Sequence, residues 1–120
     1  MHELALCQAL LDEVERVARD HPGMQVERVQ VRLGPLSGAE PDLLKQAYTV
    51  ARTGTVAALA ELEIEPVAIR VRCTACAAET DAASGRLVCG ACGDWRTELV
   101  SGDELVLQRV ELGAAQRQLH

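Results

Sequence analysis

Phenylalanine is absent from this 120-residue chain, and Trp95 and Tyr48 are its whole aromatic complement. A surface that binds single-stranded nucleic acid needs aromatic rings for the bases and basic side chains for the phosphates. Here only those two rings are present and the formal net charge is -6, so nucleic acid is excluded as an expected partner. Long apolar runs are lacking too: charges or glycines interrupt every stretch that could span a bilayer. The opening "MHELALCQALLDEVERVARD" carries acids from its third residue and has no basic segment followed by an apolar one, so it does not read as an export signal. The expectation is a cytoplasmic protein with no membrane partner. In that reducing compartment its five cysteines are expected to be metal ligands or buried thiols rather than a disulfide framework.

What is there is 48% hydrophobic and mostly Leu, Val and Ala, enough for one compact domain plus a small satellite. Leu4, Cys7, Leu10, Leu11, Val14, Val17 and Ala18 recur at three- and four-residue intervals, which predicts an amphipathic helix ending before "DHPG". Val29, Val31 and Leu33 alternate with Arg28, Gln30 and Arg32, the pattern of a half-buried strand. After "GPLSGAEPD", Pro41 suits the first turn of a second helix through "DLLKQAYTVAR", with Gly54 marking its end. "ELEIEPVAIRVRC" alternates in two phases around Pro66, which predicts a bulge or bend in an edge strand. A last strand is expected at "ELVLQRVEL" after the turn signal "SGD".

Between these strands, from Cys73 to about Trp95, large apolar residues are few and four cysteines are concentrated. "CTAC" at Cys73 and Cys76 and "CGAC" at Cys89 and Cys92 form two C-x2-C pairs with twelve residues between them. Each pair can fold into a tight knuckle offering two thiolates, and the two knuckles together suit one tetrahedral ion, for which zinc is the expected metal. Four thiolates leave no open position for a water or substrate, so the zinc would be structural. Two redox dithiols would each call for a strand-to-helix junction that this segment lacks. An iron-sulfur cluster fits the spacing less well, and two disulfides contradict the compartment. Cys7 lies alone on the apolar face of the first helix and reads as a buried thiol. His21 and His120 fall in a loop and in the "GAAQRQLH" tail and read as solvated.

The start raises a second metal question. A free Met1 amine, the His2 amide nitrogen and the His2 ring can close two chelate rings around one ion and present three nearly coplanar nitrogens, a preference of Ni(II) and Cu(II). Glu3 could complete the set. On local chemistry alone, a solvated chain end is the stronger reading.

The whole pattern changes that balance. "MHELAL", "VERVQVRLGPLSG" with "AEPDLL", "TGTVAALAELEIE", the "CTAC" and "CGAC" pairs and "SGDELVLQRVEL" together resemble the HypA/HybF family of hydrogenase maturation proteins over nearly the entire chain. The resemblance implies an α+β fold: two helices packed on a small, mostly antiparallel sheet form a nickel domain, 1–70 plus 98–113, with an inserted zinc-ribbon subdomain at 71–97 and a disordered tail at 114–120. It implies nickel ligation by His2 and Glu3 with the Met1 amine, and it places a further acidic side chain near nickel at Glu40, where relatives carry the shorter Asp. It implies plain four-thiolate ligation of structural Zn(II), because no histidine flanks either knuckle here.

The function expected on this basis is that of a metallochaperone and not an enzyme. It would carry Ni(II) transiently and, with a nickel-handling maturation GTPase, deliver it to the precursor of a [NiFe]-hydrogenase large subunit. The alternative is a zinc-ribbon interaction adaptor with no nickel role, which differs only at the terminus. A dithiol oxidoreductase is a third reading, and it predicts cysteines that alkylate readily.

Overall fold

A computed structural model describes residues 2–114. Met1 and residues 115–120, which include His120 and all but the first residue of the expected tail, lie outside the described residues. Ala114 itself closes the last strand.

Helix α1 (His2–Arg19) buries Cys7, Leu10, Leu11 and Val14, the stripe expected from their spacing. It also begins two residues before the first apolar position, so His2 belongs to its first turn. Glu3 in that turn and Arg16 and Arg19 in the last turn complement the helix dipole. After a turn in which Gly23 takes φ +83°, strand β1 (Met24–Leu33) buries Val29, Val31 and Leu33 in alternation, with Val26 buried one step out of phase.

Helix α2 (Pro41–Ala51) starts as the sequence leads one to expect, with proline at its first position. Its cap is Glu40, which holds extended backbone angles (φ -98°, ψ 129°) while its carboxylate accepts from the Leu43 amide at 2.9 Å. The helix ends at Ala51, three residues before Gly54, which takes φ +77° in the turns that follow. α1 packs against α2. In α2 Leu44 is fully buried, a position where truncation to alanine costs about 2–5 kcal/mol. Tyr48 is buried with its hydroxyl donating to the Ala60 carbonyl at 2.9 Å.

Strand β2 (Glu61–Pro66) follows, and Pro66 ends it at the edge of a three-stranded sheet ordered β2-β1-β6. Beyond Pro66 the chain enters a different sheet: β3 (Arg70–Cys73) lies between β4 (Glu79–Asp81) and β5 (Thr97–Ser101), and both pairings are antiparallel. The expected bulged strand is therefore two strands in two sheets. β6 (Leu105–Ala114) returns to the first sheet.

The chain divides into two compact units, Met1–Val31, Glu40–Glu65 and Val106–His120 on one side and Arg32–Ala39 with Pro66–Leu105 on the other, so the division falls within β1 and β6. In the second unit, Val71 is buried opposite Thr80 and Leu99, while Arg70 and Arg72 on the other face pair with Asp81 at 2.7 Å and Glu79 at 2.6 Å. These exposed pairs contribute little to stability. Burial of Val71, Cys73 and Cys89 organises the unit instead. Among the described residues, no helix is long and apolar enough to cross a membrane.

Candidate metal centre

Cys73 is the last residue of β3, and the chain turns back on itself immediately after it: the Ala77 amide donates to the Cys73 carbonyl at 3.0 Å. The second pair repeats this turn, with the Gly93 amide donating to the Cys89 carbonyl at 2.9 Å. Within each knuckle two amides converge on the first sulfur. Ala75 and Cys76 donate to Cys73 Sγ at 3.3 and 3.4 Å, and Ala91 and Cys92 donate to Cys89 Sγ at the same two distances.

The knuckles face each other with Cys73 Sγ 3.6 Å from Cys92 Sγ and Cys76 Sγ 3.6 Å from Cys89 Sγ. All four ligand atoms lie within 4.8 Å of one another, and among the described residues this is the group of side chains placed to hold an ion. A tetrahedral zinc with bonds of about 2.3 Å has sulfur-sulfur edges of about 3.8 Å, so the donor set fits that ion with little adjustment. Cys73 and Cys89 are buried, and Cys76 and Cys92 are exposed.

The electrostatics point the same way. The Cys92 and Ala91 amides hold the Cys89 thiol down to about 6, and the Cys76 amide lowers that of Cys73. The Asp94 amide pulls Cys92 down as well, but the hydrogen bond to Cys73, burial and the nearby sulfurs of Cys76 and Cys89 outweigh it and push that thiol up to about 12. Four sulfurs this close cannot all ionise alone; a divalent cation removes the conflict. Asp94 fastens the turn behind the second knuckle through Arg96, whose Nη2 lies 2.8 Å from Asp94 Oδ2, and this contact holds its carboxyl down to about 2.

At the other candidate site, His2 opens α1 with an exposed side chain. Glu3 is partly buried, and its Oε2 accepts from the Glu40 amide at 3.4 Å. Glu40 is exposed, with one carboxylate oxygen used by the α2 cap. Among the described residues, His2, Glu3 and Glu40 form no ligand cluster of the cysteine kind. The Met1 amine lies outside the described residues.

Cys7 is fully buried, donates to the Leu44 carbonyl at 3.5 Å and is pushed up to about 11 by burial, with Glu3 adding to the effect. That environment makes it an inert thiol. His21 is exposed, its Nδ1 3.0 Å from the Val17 carbonyl at the end of α1. Sequence reasoning overlooked the residues besides the cysteines that brace the metal centre: Thr74 within the first knuckle, and Thr80, Thr97 and the Asp94–Arg96 pair outside both. Isolated threonines in polar stretches give no periodic signal.

Three kinds of likeness to known proteins bear on these sites. A family model described as "Hydrogenase/urease nickel incorporation, metallochaperone, hypA" matches residues 1–112. The hydrogenase maturation factor HypA of Nitrosospira multiformis is 43% identical over 112 residues, covering 93% of this chain and 97% of the relative. That of Aquifex aeolicus is 37% identical over the same coverage. Two solution structures share the fold. One, of the Ni metallochaperone HypA from Helicobacter pylori, has a TM-score of 0.68 and 23% identity over 94% of this chain and 98% of its own. The other, of a HypA protein, has a TM-score of 0.73 and 26% identity over 96% and 98%.

Proposed function

The chain belongs to the HypA family of nickel-incorporation metallochaperones, and from that premise we propose that it carries Ni(II) at Met1, His2 and Glu3 and delivers it to the precursor of a [NiFe]-hydrogenase large subunit. The observation that carries this reading is that α1 begins at His2 with that side chain exposed while Glu3 is drawn toward the α2 cap. The first four amides of a helix have no intrahelical acceptor, so the His2 and Glu3 nitrogens are not committed to the helix. The Met1 amine, the His2 amide and the His2 ring would supply a planar set suited to Ni(II). The same helix end opposes a bound cation through its dipole, and the Glu3 carboxylate offsets that. A site balanced in this way can bind and release, which delivery needs. The recipient and a nickel-handling maturation GTPase are the partners of this reading, the cytoplasm is its compartment, and the protein acts as a carrier rather than an enzyme. Zn(II) on Cys73, Cys76, Cys89 and Cys92 would be structural.

A second reading, a zinc-ribbon adaptor without nickel, is favoured by one observation: Trp95, beside the second knuckle, is 76% exposed, and exposed tryptophans often anchor protein contacts. Titration of Ni(II) into zinc-loaded, untagged protein separates the two. The carrier binds one equivalent with a planar-type d-d spectrum, and His2→Ala or one residue inserted before Met1 abolishes or changes it. Equal behaviour of all three proteins overturns the nickel reading in favour of the adaptor.

A further inference from the structure

The two knuckles match internally, but they are anchored by different means. In each, the residue after the first cysteine presents an amide that points away from the sulfurs. In the first knuckle this is the Thr74 amide, which donates to the Arg96 carbonyl at 3.0 Å, and the Thr74 hydroxyl donates to the same oxygen at 2.6 Å. A backbone carbonyl does this work whatever side chain residue 96 carries. In the second knuckle the corresponding amide is that of Gly90, and it donates to Thr80 Oγ1 at 2.8 Å. That acceptor exists only because residue 80 carries a hydroxyl.

The supports differ as well. Cys73 ends β3 and inherits its position from the sheet, whereas Cys89 lies in an irregular loop between β4 and β5. Thr80 stands in β4 opposite buried Val71, so its side chain shares Val71's face of the sheet. The approach is close: a Cβ on Gly90 would lie 3.1 Å from Thr80 Cβ and 3.3 Å from Thr80 Oγ1. Glycine at 90 and a small hydroxylated side chain at 80 are thus a matched pair. Holding the Gly90 amide fixes the start of the turn whose next two amides, from Ala91 and Cys92, reach Cys89 Sγ.

We propose that Thr80 is a positioning residue for the metal centre, a side-chain latch that holds the second knuckle in its ligand geometry against the first. This rests on the zinc reading of the four cysteines. Partners that orient metal ligands from outside the coordination sphere affect retention of the ion, with losses of about tenfold or more when they are removed.

The test is zinc competition against a chromogenic chelator on the full chain, comparing wild type with Thr80→Val, which keeps the shape without the acceptor, and Thr80→Ser, which keeps the acceptor. Cobalt(II) substitution and exchange of the Gly90 amide are read on the same proteins. Thr80→Val is expected to hold zinc about tenfold more weakly, with an altered Co(II) d-d spectrum and faster Gly90 exchange, and Thr80→Ser is expected to restore all three. Zinc retention, spectrum and exchange unchanged in Thr80→Val overturn the proposal, as does a fall in unfolding temperature alone. Wild-type protein that takes up no zinc overturns the zinc reading with it, whereas one-equivalent binding shared equally by all three proteins overturns only the role of Thr80.

Discussion

Ala77 and Gly93 occupy the same left-handed turn position, each one residue past the second cysteine of its knuckle, with φ of +65° and +78°. For an alanine this conformation costs roughly 1–2 kcal/mol, and for a glycine it is unstrained. Substitutions at the two sites should therefore differ in sign. Gly93→Val puts a β-branched side chain where such residues are outliers and should cost more than about 1 kcal/mol, read as a lower unfolding temperature and faster zinc loss to a chelator. Ala77→Gly should be neutral or slightly stabilising in the same assays. Equal losses at both positions would show that turn strain is not what distinguishes them.

A second prediction concerns a backbone crossing in the same unit. The Gly34 amide donates to the Glu104 carbonyl at 2.8 Å and the Leu36 amide to the Gly102 carbonyl at 2.7 Å, which brings Gly34 against Gly102. A Cβ on Gly34 would overlap the Gly102 carbonyl, and one on Gly102, at φ +117°, would lie 2.9 Å from the Ile69 Cα. Backbone cannot move aside as a side chain can, so Gly34→Ala and Gly102→Ala should each destabilise by about 2 kcal/mol or more, in the large tail of point-mutation effects. Gly85→Ala, where the added carbon would meet nothing within 4 Å, is the control. Thermal unfolding of the three variants tests this.

Much of this architecture could be read from residue order, and its failures have physical causes. The stripe from Cys7 to Val14 and the alternation from Val29 to Leu33 announced α1 and β1 because one face of each is buried. The cysteine spacing announced the knuckles because only a tight turn brings thiolates three residues apart onto one ion. The run around Pro66 looked like one strand because alternation cannot tell which sheet a residue joins. β4, only Glu79–Asp81, carries too few residues for any period. The capping role of Glu40 was missed because its long side chain is not among the usual caps, and the Glu3 contact to the Glu40 amide joins residues 37 apart in sequence.

Cys7 should give stability a pH dependence on the alkaline side. Its thiol ordinarily titrates near 9.0 and is pushed up to about 11 by burial. Because the folded state holds that proton more tightly, the contribution is fully present below pH 9 and is lost as pH rises through 11. Unfolding temperature should therefore fall across this interval in wild type, and the slope should be shallower in Cys7→Ala, which lowers stability at neutral pH by leaving a small cavity. A thiol reagent at pH 8 should leave Cys7 unlabelled until the chain unfolds. Matching slopes in the two proteins would remove Cys7 as the cause.

The last prediction separates the two roles open to Glu40. Its carboxylate accepts from the Leu43 amide at 2.9 Å, and its own amide reaches Glu3 Oε2 at 3.4 Å. A carboxylate serving as a helix cap needs an acceptor oxygen but not a charge, whereas an oxygen donor to nickel binds the ion more weakly once the charge is gone. Glu40→Gln keeps an acceptor and removes the charge, and Glu40→Ala removes both. Glu40→Ala should lower stability by about 1 kcal/mol, the usual cost of a lost cap, while Glu40→Gln should stay near wild type. Nickel affinity should be unchanged in Glu40→Gln, since this carboxylate caps α2 and, among the described residues, forms no ligand cluster with His2. Weaker nickel binding in Glu40→Gln at unchanged stability would instead make the carboxylate a donor to the ion. The site would then extend from the first turn of α1 to the first turn of α2, and loading it would draw on the oxygen that caps that helix.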